Sequence, residues 1–154
     1  MATVETEKNY QATDILLVEC NYLDAELLIR AFKKKNIVNE IHHVTNGEDA
    51  LNFLFDFKNL TTQSNNHREL LIFLNLRLPK ISGLELFERM KNMDMLIKTS
   101  VVVMSSSAND PEVVKAIELG ANGYLTKPIN FNDLNVILQG NGYQWLLFLD
   151  NENG

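Results

Sequence analysis

Apolar residues along this chain follow two alternating patterns. One is the short unbroken run: Ile15-Leu16-Leu17-Val18, Leu70-Leu71-Ile72-Phe73-Leu74 and Val101-Val102-Val103-Met104. Runs of that length without polar alternation predict strands buried on both faces of a parallel sheet. The other pattern recurs every three or four positions, as in Leu23, Leu27, Leu28, Ala31 and Phe32, and again in Ala50, Leu51, Phe53, Leu54 and Phe57. That spacing predicts helices with one apolar face. The stretch from Leu70 to Met90 shows the change of period most plainly. An apolar run gives way to Asn75, Leu76 and Arg77, the chain breaks at Pro79 and Gly83, and helical spacing resumes through Leu84, Leu86, Phe87 and Met90.

The remaining elements follow from turn and cap signals. Asp24 is a candidate cap for the first helix, and Asn36 closes it. Glu40–Val44 reads as a second short strand with Asn46-Gly47 as its turn. The polar stretch Asn59–Arg68 lacks periodicity and reads as a long surface loop. Asn109-Asp110-Pro111-Glu112 is a strong helix start, with a polar cap, proline at the first helical position and an acid in the first turn. Gly120 ends that helix. Gly123–Thr126 is a fifth strand closed by Lys127-Pro128. A last helix starts at Asn130–Asn132, with an interruption expected at Gly140-Asn141-Gly142. Five β–α alternations without repeats or an internal linker predict an α/β fold, a three-layer doubly wound (βα)5 sandwich around a five-stranded parallel sheet. Residues 1–13 read as a loose arm, 14–139 as the domain and 140–154 as an apolar C-terminal extension.

Composition narrows the function. A chain of 154 residues, 45% hydrophobic, can bury one core. Its 20 acidic residues against 14 basic ones give a net charge of −6, which argues against nucleic-acid binding. The run Lys33-Lys34-Lys35 reads as the solvated end of a helix. The single cysteine permits no internal disulfide and fits a reducing compartment. The first residues lack the apolar core of a signal peptide, and no apolar run reaches membrane-spanning length. A cytoplasmic protein without a membrane partner is expected.

In a sheet of this kind, ligands bind at the carboxyl ends of the strands. Those ends carry Glu19 and Cys20, Asn75 and Arg77, Ser105, and Lys127. The sequence Val18-Glu19-Cys20, Leu74-Asn75-Leu76, Leu78-Pro79-Lys80-Ile81-Ser82-Gly83, Met104-Ser105-Ser106, Gly120-Ala121-Asn122-Gly123-Tyr124 and Lys127-Pro128 resembles the receiver domain of two-component response regulators, whose fold is flavodoxin-like or CheY-like. The likeness spans about Asp14 to Leu138. The run Ser106-Ser107-Ala108-Asn109, the long segment before the third strand and Tyr143-Gln144-Trp145-Leu146 look like the small response regulators paired with cyanobacterial phytochromes.

The resemblance implies an Asp at the end of the third strand that accepts a phosphoryl group from a histidine kinase. It also implies two acids after the first strand that hold Mg²⁺, a Ser/Thr on the fourth strand and a Lys after the fifth. An anionic oxygen must attack phosphorus, and a hard cation must offset the charge that develops. This chain departs at two of those places. Asn75 stands at the phosphoacceptor position, and its neutral amide is a poor nucleophile. Cys20 stands at one acid position, leaving Glu19 at the other. Ser105 and Lys127 match the phosphoryl-contact positions, Tyr124 the switch aromatic, and Glu19, Cys20 and Arg77 the degenerate metal positions. A degenerate receiver that acts through protein contacts is therefore expected, with no cofactor, weak or absent Mg²⁺ binding, and a histidine kinase, of the phytochrome class on the narrower likeness, as partner. Asn75 is either a natural replacement or an engineered phosphorylation-dead one; the separate change at Cys20 favours the first.

Two other functions compete with this one. Ser105 is an alternative phosphoacceptor, although no base adjoins it in sequence. A flavin or dinucleotide enzyme on the same fold lacks support, because Glu19-Cys20-Asn21-Tyr22-Leu23 carries no glycine-rich or hydroxyl-rich phosphate loop. His42 and His43 are adjacent in a strand and point to opposite faces, so they do not form a metal pair with each other. Cys20 has no cationic neighbour in sequence and reads as an inert thiol.

Tyr143, Trp145, Leu146 and Phe148 follow the last β–α unit and form an apolar segment that needs burial. Aromatic residues of this kind anchor interfaces, so a homodimer through the last helix and tail is expected. Truncation after Gly142 should yield a folded monomer, with full-length protein dimeric by light scattering. A full-length monomer, or a truncated dimer, would contradict this.

Overall fold

The structure is a computed structural model that describes residues 13–35, 37, 39–63, 69–94, 99–107 and 109–140. Its elements alternate strictly: β1 (Thr13–Val18), α1 (Tyr22–Lys34), β2 (Ile41–Val44), α2 (Gly47–Gln63), β3 (Glu69–Asn75), α3 (Gly83–Asn92), β4 (Thr99–Ser105), α4 (Pro111–Glu118), β5 (Gly123–Thr126) and α5 (Phe131–Gly140). The strands form one parallel sheet in the order β2-β1-β3-β4-β5. The expected doubly wound (βα)5 architecture is therefore present. The chain winds outward from β1 to β2, then crosses back to β3 and winds the other way. That reversal opens a crevice between the carboxyl ends of β1 and β3, where such folds bind ligands.

The unbroken apolar runs are explained by two-sided burial. Leu16, Val18, Leu70, Ile72, Leu74, Val101 and Val103 pack with residues of α2, α3 and α4, including Leu54, Phe87 and Ala116. Their strand neighbours Ile15, Leu17, Leu71, Phe73, Val102, Met104 and Leu125 pack with α1 and α5 through Leu28, Phe32, Leu134 and Leu138. Successive side chains on a strand point to opposite faces, so a strand covered on both sides must be apolar at every position. Phe32 and Phe73 meet edge to face at 5.4 Å, a geometry that aromatic quadrupoles favour.

Two boundaries refine the sequence reading, and a third matches it. Asn21, not Asp24, caps α1: its Oδ1 accepts from the Asp24 N–H at 3.0 Å, which moves Asp24 into the first turn. The expected loop at Asn59–Arg68 is helical through Gln63. No glycine or proline interrupts residues 48–63, so nothing in the sequence breaks the helix before Gln63, although the apolar residues read as its face end at Phe57. The helix α4 begins as expected, with Asp110 as cap and Pro111 at its first position. It ends in a Schellman arrangement: the Gly120 N–H donates to Ile117 O and the Ala121 N–H to Ala116 O. Gly120 has φ of 114°, a region glycine enters without steric cost. Asn36, the Asn141-Gly142 break and the tail residues Tyr143, Trp145, Leu146 and Phe148 lie outside the described residues.

The entry to α3 fixes the rim of the crevice. Ser82 caps the helix, its Oγ accepting from the Glu85 N–H at 3.1 Å, and the Gly83 N–H donates to Leu76 O at 2.9 Å. A Cβ at Gly83 would stand 2.2 Å from Asn75 O and 2.7 Å from Leu76 Cα. Both are backbone atoms and cannot rotate away. Gly83→Ala should therefore cost about 1–3 kcal/mol, seen as a lower urea midpoint at unchanged slope.

Candidate functional site

Glu19 is the first residue beyond β1, and its backbone N–H donates to Val44 O of β2 at 3.0 Å. Its side chain is 1% exposed. A carboxylate at that depth requires compensation on both oxygens. Lys127 Nζ lies 2.5 Å from Oε1. Oε2 accepts from Asn75 Nδ2 at 2.7 Å and from the Asn21 N–H at 3.0 Å. Lys127 follows β5, with its side chain 14% exposed, and also contacts Asp24 Oδ2 at 3.1 Å. The displaced helix cap explains this contact, since Asp24 is free to turn toward Lys127 because Asn21 performs the capping.

Asn75, buried at the end of β3, uses its whole amide. Its Nδ2 donates to Glu19 and to Arg77 O at 2.9 Å, and its Oδ1 accepts from the Arg77 N–H at 3.1 Å. These partners fix the amide orientation, because the reversed amide would set an oxygen against the Glu19 carboxylate. Asn75 is thus both a turn former and a partner of Glu19. The side chain of Arg77 is 75% exposed and turns instead toward Asp110, at 3.7 Å. An exposed pair at that distance contributes little.

Ser105 closes β4 and is 2% exposed. Its Oγ donates to Asp110 Oδ2 at 2.9 Å and accepts from the Ser107 N–H at 3.2 Å. The other oxygen of Asp110 accepts from the Glu112 N–H at 2.9 Å to cap α4. The structure thus gathers Glu19, Asn75 and Lys127 into one network and places Ser105 in a second, with Asp110. Cys20 is exposed, its Sγ 3.4 Å from Arg77 O. Tyr124 is exposed on β5. Asp24 and Asp110 are the site residues that sequence reasoning missed. Asp110 carried a signal: a capping carboxylate has a second oxygen free to bond elsewhere. His43 supports the rim from β2, its Nε2 2.8 Å from Glu19 O.

This donor set does not suit Mg²⁺, which needs hard oxygen ligands in near-octahedral array. Both Glu19 oxygens face nitrogen donors, the Asn75 face turned to Glu19 is an N–H₂ group, and Cys20 offers a thiol. The Lys127 ammonium supplies the positive charge that Glu19 requires.

The sequence pattern of the response regulator receiver domain matches residues 15–139. The chain belongs to the response regulator receiver family. It is 36% identical over 132 residues to the response regulator Rcp1 of Synechocystis sp., covering 86% of this chain and 88% of that protein. It is 33% identical over 132 residues to the probable methanogenesis regulatory protein FilR2 of Methanothrix harundinacea, covering 86% and 83%. Among solved structures, the bacteriophytochrome response regulator RtBRR superposes with a TM-score of 0.74 at 31% identity, covering 91% of this chain and 83% of that one. The Mn²⁺-bound form of Rcp1 gives 0.61 at 33%, covering 90% and 97%. This receiver is accordingly a response regulator of two-component signalling, a family of signalling modules that take phosphoryl groups from histidine kinases. Among the described residues, no helix is long and apolar enough to cross a membrane.

Removing one partner of a buried ion pair costs about 3–5 kcal/mol. Lys127→Met should destabilise the receiver on that scale, and adding Glu19→Gln should restore most of the loss. A double-mutant cycle from urea denaturation measures the coupling, expected to exceed about 1 kcal/mol.

Proposed function

We propose that this receiver works without an aspartyl phosphate and signals through protein–protein contacts. The observation that carries this reading is the closed network of Glu19, Asn75 and Lys127. Phosphorylation of a receiver needs a carboxylate oxygen to attack phosphorus while a metal offsets the charge. Here the acceptor position holds an amide committed to Glu19 and Arg77, and the cationic place is taken by an ammonium. Mg²⁺ binding is correspondingly weak or absent. The partner is a histidine kinase of the phytochrome class, a reading supported by the likeness to Rcp1 and to bacteriophytochrome response regulators. The protein acts in the cytoplasm, as residues 14–139 with an apolar extension at 140–154 that pairs two copies, and uses no nucleic acid.

One observation favours a second reading. Asp110 Oδ2 lies 2.9 Å from Ser105 Oγ, where a carboxylate acts as a base toward a hydroxyl. Ser105 is nevertheless only 2% exposed, and its hydroxyl also bonds Ser107 beside it.

Treatment with a small acyl phosphate and Mg²⁺ should leave the intact mass of the wild-type protein unchanged. The double variant Cys20→Asp/Asn75→Asp, which restores two carboxylates, should gain about 80 daltons, one phosphoryl group. A wild-type adduct overturns the proposal, and its mapping to Ser105 would establish the second reading.

A further inference from the structure

Among the described residues, the carboxyl-end site leaves one cluster of ligating side chains unused, at the amino-terminal end of the same sheet. Asp14 lies near the start of β1, Glu40 immediately before β2, and His42 within β2. The register pairs Ile15 with Ile41 and Leu16 with His42. It therefore sets Asp14 across from Glu40, with His42 two residues further along on the same face. His42 Nε2 is 3.0 Å from Asp14 Oδ2 and 3.9 Å from Glu40 Oε2. The ligating atoms of all three lie within 4.8 Å of one another. The Phe53 ring packs on His42 at 4.7 Å and holds the imidazole plane.

We propose that Asp14, Glu40 and His42 form a binding site for a borderline divalent transition metal such as zinc. An imidazole N–H donates to one carboxylate at a time, whereas two carboxylates converge on it here. A divalent cation satisfies all three groups together and balances the two negative charges. In tetrahedral zinc sites with nitrogen and oxygen ligands, neighbouring ligand atoms stand ~3.3 Å apart, and the two separations from Nε2 bracket that value. One nitrogen and two carboxylate oxygens suit zinc or cobalt better than calcium or magnesium, which take all-oxygen shells. Water completes the coordination from the solvent side, where the Glu40 side chain is 71% exposed. The metal would clip the edge strand β2 to β1, far from the phosphorylation rim, and is independent of how that rim works.

Calorimetric titration of the full chain with Zn²⁺ should show one ion per chain, and Zn²⁺ should raise the melting temperature where Mg²⁺ does not. His42→Gln and Glu40→Gln should each weaken the affinity by about tenfold or more, the scale of loss that even an outer-shell partner brings. Cys20→Ser should leave it unchanged. Glu40 is exposed, so its variant decides the matter if His42→Gln fails to fold by circular dichroism. The site is refuted if the chain takes up no Zn²⁺, if Glu40→Gln and a folded His42→Gln both bind it unchanged, or if Cys20→Ser abolishes binding.

Discussion

A carboxylate held out of water at the switch point of the sheet sets the terms for everything around it. Glu19 is placed there by the end of β1 and by its backbone bond to Val44. Its charge must be met by a metal or by a side-chain cation, because an isolated carboxylate in a low-dielectric site costs far more than a domain's net stability permits. Lys127 meets it at 2.5 Å. Neutrality at position 75 then becomes an advantage. An aspartate there would press a second carboxylate against Glu19, leaving one buried ammonium to serve Glu19, Asp24 and the newcomer. An asparagine donates to Glu19 and removes the repulsion, so the amide and the ammonium act together on the same carboxylate.

The network holds only because the scaffold is stiff. Asn75 is the last residue of a strand buried on both faces. The chain beyond it is pinned by the close approach of Gly83 to its carbonyl. Lys127 is delivered by β5, whose register against β4 pairs Ser105 with Thr126. The core that fixes these strands is split between two helical layers, α1 and α5 on one side and α2, α3 and α4 on the other. A shift of half an ångström in either layer would lengthen a 2.5 Å contact that depends on near-contact distance.

Much of this was legible in the chain. The apolar runs announced buried strands, and the polar residues just past them named the rim before any coordinate was known. The helix start at Asp110-Pro111 was equally plain. What stayed hidden depended on contacts between segments distant in sequence. Asn21 and Asp24 are both good capping residues, and only the turn geometry selects Asn21. The extension of α2 to Gln63 runs into the polar stretch from Asn59, where the pattern gives no signal. Asp24 reaches Lys127 across 103 positions, a pairing with no local signature. The meeting of Asp14 with His42 likewise follows from strand order, since the two lie 28 residues apart.

The rim divides into two closed sets of side chains, and that division bears on how a signal could pass. Glu19, Asn75, Lys127 and Asp24 form one set, and Ser105, Asp110 and Ser107 the other. In a receiver that carries phosphate, Lys and Ser/Thr converge on the same group. Here Lys127 points to Glu19, and the Ser105 hydroxyl is committed to the cap of α4. Two links join the sets: the Lys127 N–H donates to Ser105 O at 2.7 Å, continuing the β4–β5 pairing, and Arg77, whose backbone bonds the Asn75 amide, reaches Asp110 with its exposed guanidinium at 3.7 Å. The crevice and α4 are therefore joined through the position of β5 in the sheet and through the turn at Arg77. A backbone ladder transmits displacement of a whole strand but carries no charge information, whereas the Arg77–Asp110 pair, though weak at that exposure, answers to charge.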